Sequence, residues 1–265
     1  MKITVLGKSP AWQDAGGACS GYLVEDGETT VLIVCGNGVF GKLRERRDYL
    51  DVDAVLVSHL HADHTLDLVP YAYALTYSPR QQPLPVGGHQ GREVPVRPAL
   101  HMPPGARERM RSLCGAWAAP SLIEEAFVLH EYDPGGALAV GALVFRFGLV
   151  PHYVPTYAMR VTAQGGTGAS FTYGADCRPN DEIVAFAKGS DLVMLEATLA
   201  RPERSGIRGH LTALEAGDHA RRAEAGRLVI THIPDEIDQH LAREDAARAF
   251  GGPTTLAAEG DVYEV

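Results

Sequence analysis

Ser58-His59-Leu60-His61-Ala62-Asp63-His64 places four potential metal ligands within six residues, directly after the Val-rich stretch 54–57. Zinc accepts imidazole and carboxylate donors, and a turn at a strand end can converge alternate side chains on one point. The competing account is a polar loop that is His-rich by chance. It would have to draw three of the eleven histidines, with an aspartate, into one short window of a 265-residue chain. Ligation is the better reading. Further donors stand downstream, each at the end of an expected strand: His152 after 145–150, Asp176 after 171–173 through Gly174-Ala175, and His232 after 228–231. Alone, each reads as an ordinary structural residue. Strand ends along one sheet edge are where α/β proteins assemble sites, and with the cluster these three make the pattern of a two-metal centre.

Outward from these residues the chain alternates strand and helix signals. Strands are expected at 3–6, 22–25, 31–34 and 54–57, and helices at 39–47 and 66–77. A second series of strands follows at 126–130, 143–147, 158–163, 170–173, 192–195 and 228–231. Helices are expected over 181–188, 213–225 and 237–250, the last stopping at Gly251-Gly252-Pro253. The glycine-rich run 165–168 reads as a hairpin turn; it lacks the lysine and following helix of a phosphate loop. Residues 79–104 hold seven of the seventeen prolines and read as a long loop or arm with little regular structure. No repeat or linker divides the chain, so the mixture suggests α/β layers in one domain over 1–265.

Composition bounds the function. With 45% hydrophobic residues the chain can bury a sizeable core, which excludes a disordered tail. Its 24 basic and 33 acidic residues give −9, which counts against a broad nucleic-acid-binding surface though not against a local basic patch. No apolar run approaches the ~18 residues of a membrane span; the longest, 137–145, is broken by Gly141 and stopped by Arg146. Residues 1–7 pass straight into strand-like alternation with no leader signal, and the four cysteines are widely spaced with no C-x-x-C. A soluble cytoplasmic protein without disulfides is expected.

The HxHxDH pattern at 59–64, followed by a lone His, a lone Asp and a lone His, resembles the metallo-β-lactamase superfamily of hydrolases over essentially the whole chain. The resemblance implies a four-layer αββα sandwich with two divalent metals at one edge of the sheets. It implies that His59, His61 and His152 hold one metal, that Asp63, His64 and His232 hold the second, and that Asp176 bridges both. A homodimer is also what the resemblance suggests. His61 stands where electron-transferring di-iron relatives carry Glu, and Asp176 where common dinuclear β-lactamases carry Cys. Cys177 is adjacent, but neighbouring strand residues face opposite sides, so it reads as a buried small residue.

Three further segments look like the ribonuclease Z-like branch: Ser20-Gly21-Tyr22-Leu23, Glu196-Ala197-Thr198 and Gly209-His210-Leu211-Thr212. That branch implies that His210 contacts the scissile phosphate or protonates the leaving group, with Glu196 orienting it. The alternative for His210 is a helix-entry residue, with Thr212 as N-cap. The sequence departs from the pattern twice. The family's usual Asp-Cys-Gly is here Val34-Cys35-Gly36, which removes an aspartate that supports the ligand loop and leaves metal affinity weakened or the support rerouted. The candidate exosite arm, 79–111, carries Arg80, Arg92, Arg97, Arg107, Arg109 and Arg111 but no lysine, and reads either as a substrate-reading flap or as a decorated loop.

The expected activity is therefore phosphodiester hydrolysis, with a small anionic or phosphodiester substrate favoured over RNA. Two divalent ions sharing a water would generate hydroxide near neutral pH, with zinc the first choice and manganese or iron the alternatives. Asp63 would orient that nucleophile or take its proton. Thioester, lactone or other acyl hydrolysis on the same metal pair is an alternative. A degenerate binding protein is another, kept open by Val34. Arg201, Arg204 and Arg208 could offer positive charge to an anion or form a solvated loop. His130, His219 and His240 read as structural or solvated, His89 and His101 sit in the Pro-rich arm where they could contact substrate, and no serine-hydrolase motif is present.

Overall fold

The structure is a computed structural model that describes residues 1–85, 87–165, 168–203 and 205–265. Its layers follow from period-two alternation. Strands β1 (Lys2–Gly7), β2 (Gly21–Asp26), β3 (Thr29–Ile33) and β4 (Ala54–Leu56) are apolar on both faces. Val24, Val31, Ile33 and Leu56 point into one core, and Leu23, Leu32 and Val55 into another. A sheet buried on both faces needs cover on both. Helices supply it on one side: α1 (Val39–Arg46), α2 (Ala62–Thr65) and α3 (Leu68–Tyr77), then α4 (Ala106–Gly115) and α5 (Leu122–Ala126). Of these, α1, α3, α4 and α5 pack Leu43, Tyr71, Met110 and Ile123 against that face.

The other face meets a second sheet. The first is completed by β5 (Ala99–Met102), β6 (Val128–Glu131) and the last strand of the chain. The second contains β7 (Ala137–Val140), β8 (Leu143–Val150), β9 (Thr156–Ala163), β10 (Ser170–Tyr173), β11 (Leu192–Glu196), β12 (Leu228–Thr231) and β13 (Thr254–Leu256), and the chain ends in β14 (Val262–Glu264). The strand orders are β14-β1-β2-β3-β4-β5-β6 and β13-β12-β11-β10-β9-β8-β7. Leu192, Met194 and Val229 face the first sheet. Val193, Leu195 and Ile230 face the outer helices α6 (Asp181–Phe186), α7 (Ala213–Arg222) and α8 (Gln239–Phe250), which contribute Ile183, Ala216 and Ala246. Three apolar cores thus separate four layers, the αββα sandwich expected.

Register delivers the site. β10, β11 and β12 run parallel, with Tyr173 opposite Met194 and Glu196 opposite Thr231, so Asp176, Glu196 and His232 emerge at one edge. β4 ends just before His59 at that same edge. The left-handed φ values of Ala175 (53°) and His232 (50°) turn the chain sharply at two of these ends.

Several expectations are corrected. The arm at 79–104 is not structureless: Ala99–Met102 is a strand hydrogen-bonded between β4 and β6, punctuated by Pro98 and Pro103. The rest of 79–111 runs into α4, where Ala106, Met110 and Cys114 at a spacing of four bury one face and the arginines stay outside. Residue 126 ends a helix, and the strand expected from there begins at Val128. The helix expected over 66–77 is α3, which begins two residues later at Leu68, and the separate short helix α2 at Ala62–Thr65 is not among those expected. The hairpin expected at 165–168 joins two antiparallel strands, but its Gly166 and Thr167, like Arg204, lie outside the described residues. The four cysteines are free and buried, and among the described residues no helix is long and apolar enough to cross a membrane.

Candidate metal centre

The loop after β4 turns into α2 with His61 as the residue before its first turn. It is held from below by main-chain bonds: Cys35 N–H donates to the His64 carbonyl and Asp67 N–H to the Cys35 carbonyl. Gly36 backs the Asp63 carbonyl so closely that a Cβ there would lie 1.9 Å from it. Val34 points into the core between the sheets, at a φ of 51° that is costly for a β-branched residue, so no side chain from residue 34 reaches the loop, which packs on the backbone of Cys35 and Gly36.

The structure brings all seven expected ligands together in two clusters. In the first, His61 Nδ1 lies 3.2 Å from both His59 Nε2 and His152 Nε2, and Asp176 Oδ2 is 3.7 Å from His59 Nε2 and 3.9 Å from His152 Nε2. In the second, Asp63 Oδ2 is 3.3 Å from His64 Nε2 and 3.1 Å from His232 Nε2. Asp176 Oδ2 completes it at 3.2 and 3.4 Å from the same two nitrogens. A tetrahedral ion with bonds of about 2.1 Å needs donors roughly 3.4 Å apart, and both sets have that spacing. Asp176 Oδ2 belongs to both.

A second observation supports the fit. The nitrogens turned away from the clusters have partners: His59 Nδ1 meets Ser58 Oγ at 3.0 Å, His152 Nδ1 donates to the Gly209 carbonyl at 2.9 Å, and His232 Nδ1 meets Thr198 Oγ1 at 2.8 Å. His64 Nδ1 faces the Tyr173 hydroxyl at 3.5 Å. Such outer bonds fix the tautomer that leaves Nε2 free to ligate. Meanwhile the buried His64 Nε2 and Asp176 Oδ1 have no hydrogen-bond partner, a cost that a bound cation would remove. The electrostatics agree. Burial, reinforced by neighbouring histidines, pushes His59, His61 and His152 toward the neutral form that binds metal. At His64 burial is outweighed by Asp176 and Asp63, which raise it to about 10.

Beside the clusters stands a third group, Glu196, His210 and His232. The buried Glu196 carboxylate accepts from the Cys177 and Leu211 amides at 2.8 and 3.1 Å, and His210 Nδ1 lies 3.0 Å from its Oε1. Burial alone would lower the His210 pKa; the Glu196 carboxylate reverses this and raises it to about 9. Thr198 joins this pair to the metal ligands: it receives the His232 Nδ1–H and donates to Glu196 Oε2 at 2.7 Å. The alternative for the 210 segment is also realised, since Thr212 caps α7 in a capping box with Glu215.

Sequence reasoning assigned no role to Thr198, Ser58 or the Gly209 carbonyl. Only for Thr198 was a signal present: at the end of a strand it stands two residues beyond Glu196, hence on the same side. Of the stray histidines, His219 is buried, where its Nε2 accepts the Asn180 amide. Arg208 is paired with Glu215 rather than free for an anion.

The β-lactamase superfamily domain matches residues 29–233, and the chain belongs to that family. It is 30% identical over 268 residues to the probable metallo-hydrolase YhfI of Bacillus subtilis (strain 168), covering 100% of both chains. The crystal structure of YhfI matches with a TM-score of 0.84 over 99% of each chain at 27% identity. A ribonuclease Z of Halorubrum lacusprofundi is 28% identical over 301 residues, covering 100% of this chain and 97% of its own. Human tRNase Z, short form, shares the fold with a TM-score of 0.74 at 19% identity, over 100% of this chain and 99% of that one. Family, fold and donor set together make the protein a metallo-hydrolase of the metallo-β-lactamase fold.

Proposed function

We propose that the protein is a dinuclear metal-dependent phosphodiesterase. One observation carries this reading: a His210–Glu196 pair stands beside two donor clusters that share Asp176. His59, His61 and His152 would hold one ion, Asp63, His64 and His232 the other, with Asp176 available to both. When bound, the ions, zinc by preference and manganese or iron otherwise, supply a water of lowered pKa and neutralise charge on the phosphoryl oxygens. Asp63, whose Oδ2 faces His64 and His232, would orient the attacking water and take its proton. Glu196 fixes Nδ1–H of His210, so Nε2 of the protonated ring is the atom that hydrogen-bonds or protonates the departing oxygen. Acyl hydrolysis would rest the oxyanion on the ions and leave this half-buried, carboxylate-held histidine without a task.

The name ribonuclease Z among the relatives supports phosphodiester chemistry, but the substrate we favour is small. Residues 99–111 of the arm are committed to β5 and α4, with Arg107 and Arg111 paired to Glu124, and the chain carries −9 overall. The test is hydrolysis of bis(p-nitrophenyl) phosphate after chelation, with zinc and then manganese added back and metal content measured. Turnover that tracks two bound ions is expected. Two ions without turnover would move the reading to acyl substrates, and protein that binds none would return it to a degenerate binding role.

A further inference from the structure

Tyr153 stands at the centre, yet the chemistry above does not use it. Its ring centroid is 4.8 Å from that of His152 and 6.0 Å from that of His210, while 49% of the residue remains exposed. An aromatic side chain gains most by burying its faces, so one left half in water beside buried ligands has a face to offer. The ring is nevertheless held. The Gly209 backbone lies against it so closely that a Cβ on residue 209 would stand 2.2 Å from Cε2 and 2.3 Å from Cζ. Gly209 is itself tied to the centre through the His152 bond at its carbonyl. The platform is therefore in register with the ligands before anything binds.

What it faces is an open groove of about 560 Å³ that begins at His152. Leu149, 60% exposed, lines it with Val154, Pro155 and Tyr157; among the described residues Glu182 is the one lining side chain that carries a full charge. Walls of this kind suit an uncharged planar group and reject a second phosphate.

We propose that Tyr153 is a specificity-determining residue that stacks a planar ring, a nucleobase or an aryl ester group, of a substrate whose phosphate lies at the metal centre. The proposal rests on the phosphodiesterase reading. Stacking on one aromatic side chain changes affinity by about tenfold.

The test compares two probes of equal charge, phenylphosphonate and methylphosphonate, by calorimetric titration of protein carrying two zinc ions. Wild type is expected to bind the phenyl compound about tenfold more tightly. The ratio should fall to near one in Tyr153→Ala and Tyr153→Leu and persist in Tyr153→Phe, with melting temperature and zinc content checked for each. A ratio near one in wild type, or one unchanged in Tyr153→Ala, overturns the assignment while phosphate binding stands. If neither phosphonate binds, the phosphodiester reading falls and takes the proposal with it.

Discussion

The two sheets supply the centre in opposite ways. The first delivers four donors, His59, His61, Asp63 and His64, from one short segment, the loop that leaves β4 and the helix α2 it enters. The second delivers one group per strand end: His152 after β8, Asp176 after β10, Glu196 on β11 and His232 after β12. A single loop gives donors whose spacing is local and whose support is shared, here the backbone of Cys35 and Gly36. Separate strand ends make each donor depend on sheet register, but they let one residue reach several neighbours. Asp176 belongs to both clusters, and His232 to one cluster and to the Glu196–His210 group. Density of ligands and coupling between them therefore come from different halves of the fold.

The difference can be broken by substitution. Asp176→Ala should empty both clusters, whereas His61→Ala, half-buried and on one cluster only, should cost chiefly one ion. Loss of the pair should lower turnover by roughly 10³–10⁴-fold or more, since metal catalysis is worth several kcal/mol. Plasma mass spectrometry of the purified variants checks this, and two ions retained in Asp176→Ala would refute the shared role. His210→Ala should separate chemistry from ligation: the rate falls about 10²–10⁴-fold with both ions still bound. Full turnover on every cleaved substrate would remove His210 from the mechanism.

The same contrast explains what was legible in the sequence. The ligand loop is a contiguous motif, so its chemistry can be read without knowing the fold. His152, Asp176 and His232 are single letters; each became a candidate only because a strand signal preceded it. Thr198 offered only its place two residues beyond Glu196, since its partners, Glu196 and His232, converge only once β11 and β12 lie parallel. The layered fold followed from the two series of strands. Strand β5 did not, because four apolar-leaning residues between prolines look like loop until a parallel partner on each side supplies the hydrogen bonds.

Thr198→Val tests that unread link. It keeps the shape and removes the hydroxyl between His232 and Glu196. Losing an outer partner of a ligating histidine commonly weakens metal binding about 10–100-fold. A competing chelator should find one ion loosened by about that factor, with Thr198→Ser restoring the wild-type value. Equal affinities in the valine and serine variants would make Thr198 a packing residue.

The smallest effect concerns a histidine that the first sheet keeps out of the centre. His101 on β5 is buried where His210 is only partly so, and its neighbour is His130, stacked at 5.3 Å, rather than a carboxylate. Burial and the charge of that neighbour push it down to about 4, where Glu196 raises His210 to about 9. A histidine whose folded pKa lies below its unfolded value of 6.5 destabilises the fold as the unfolded state gains a proton first. Its contribution is intact above pH 6.5 and is lost progressively as pH falls toward 4. At pH 5 the loss amounts to about 2 kcal/mol. Denaturant unfolding at pH 7 and pH 5 should therefore show wild type losing more stability than His101→Gln, by about that margin. If the two lose equally, the cost of charging His101 is relieved by its surroundings, and burial without a carboxylate is not what distinguishes it from His210.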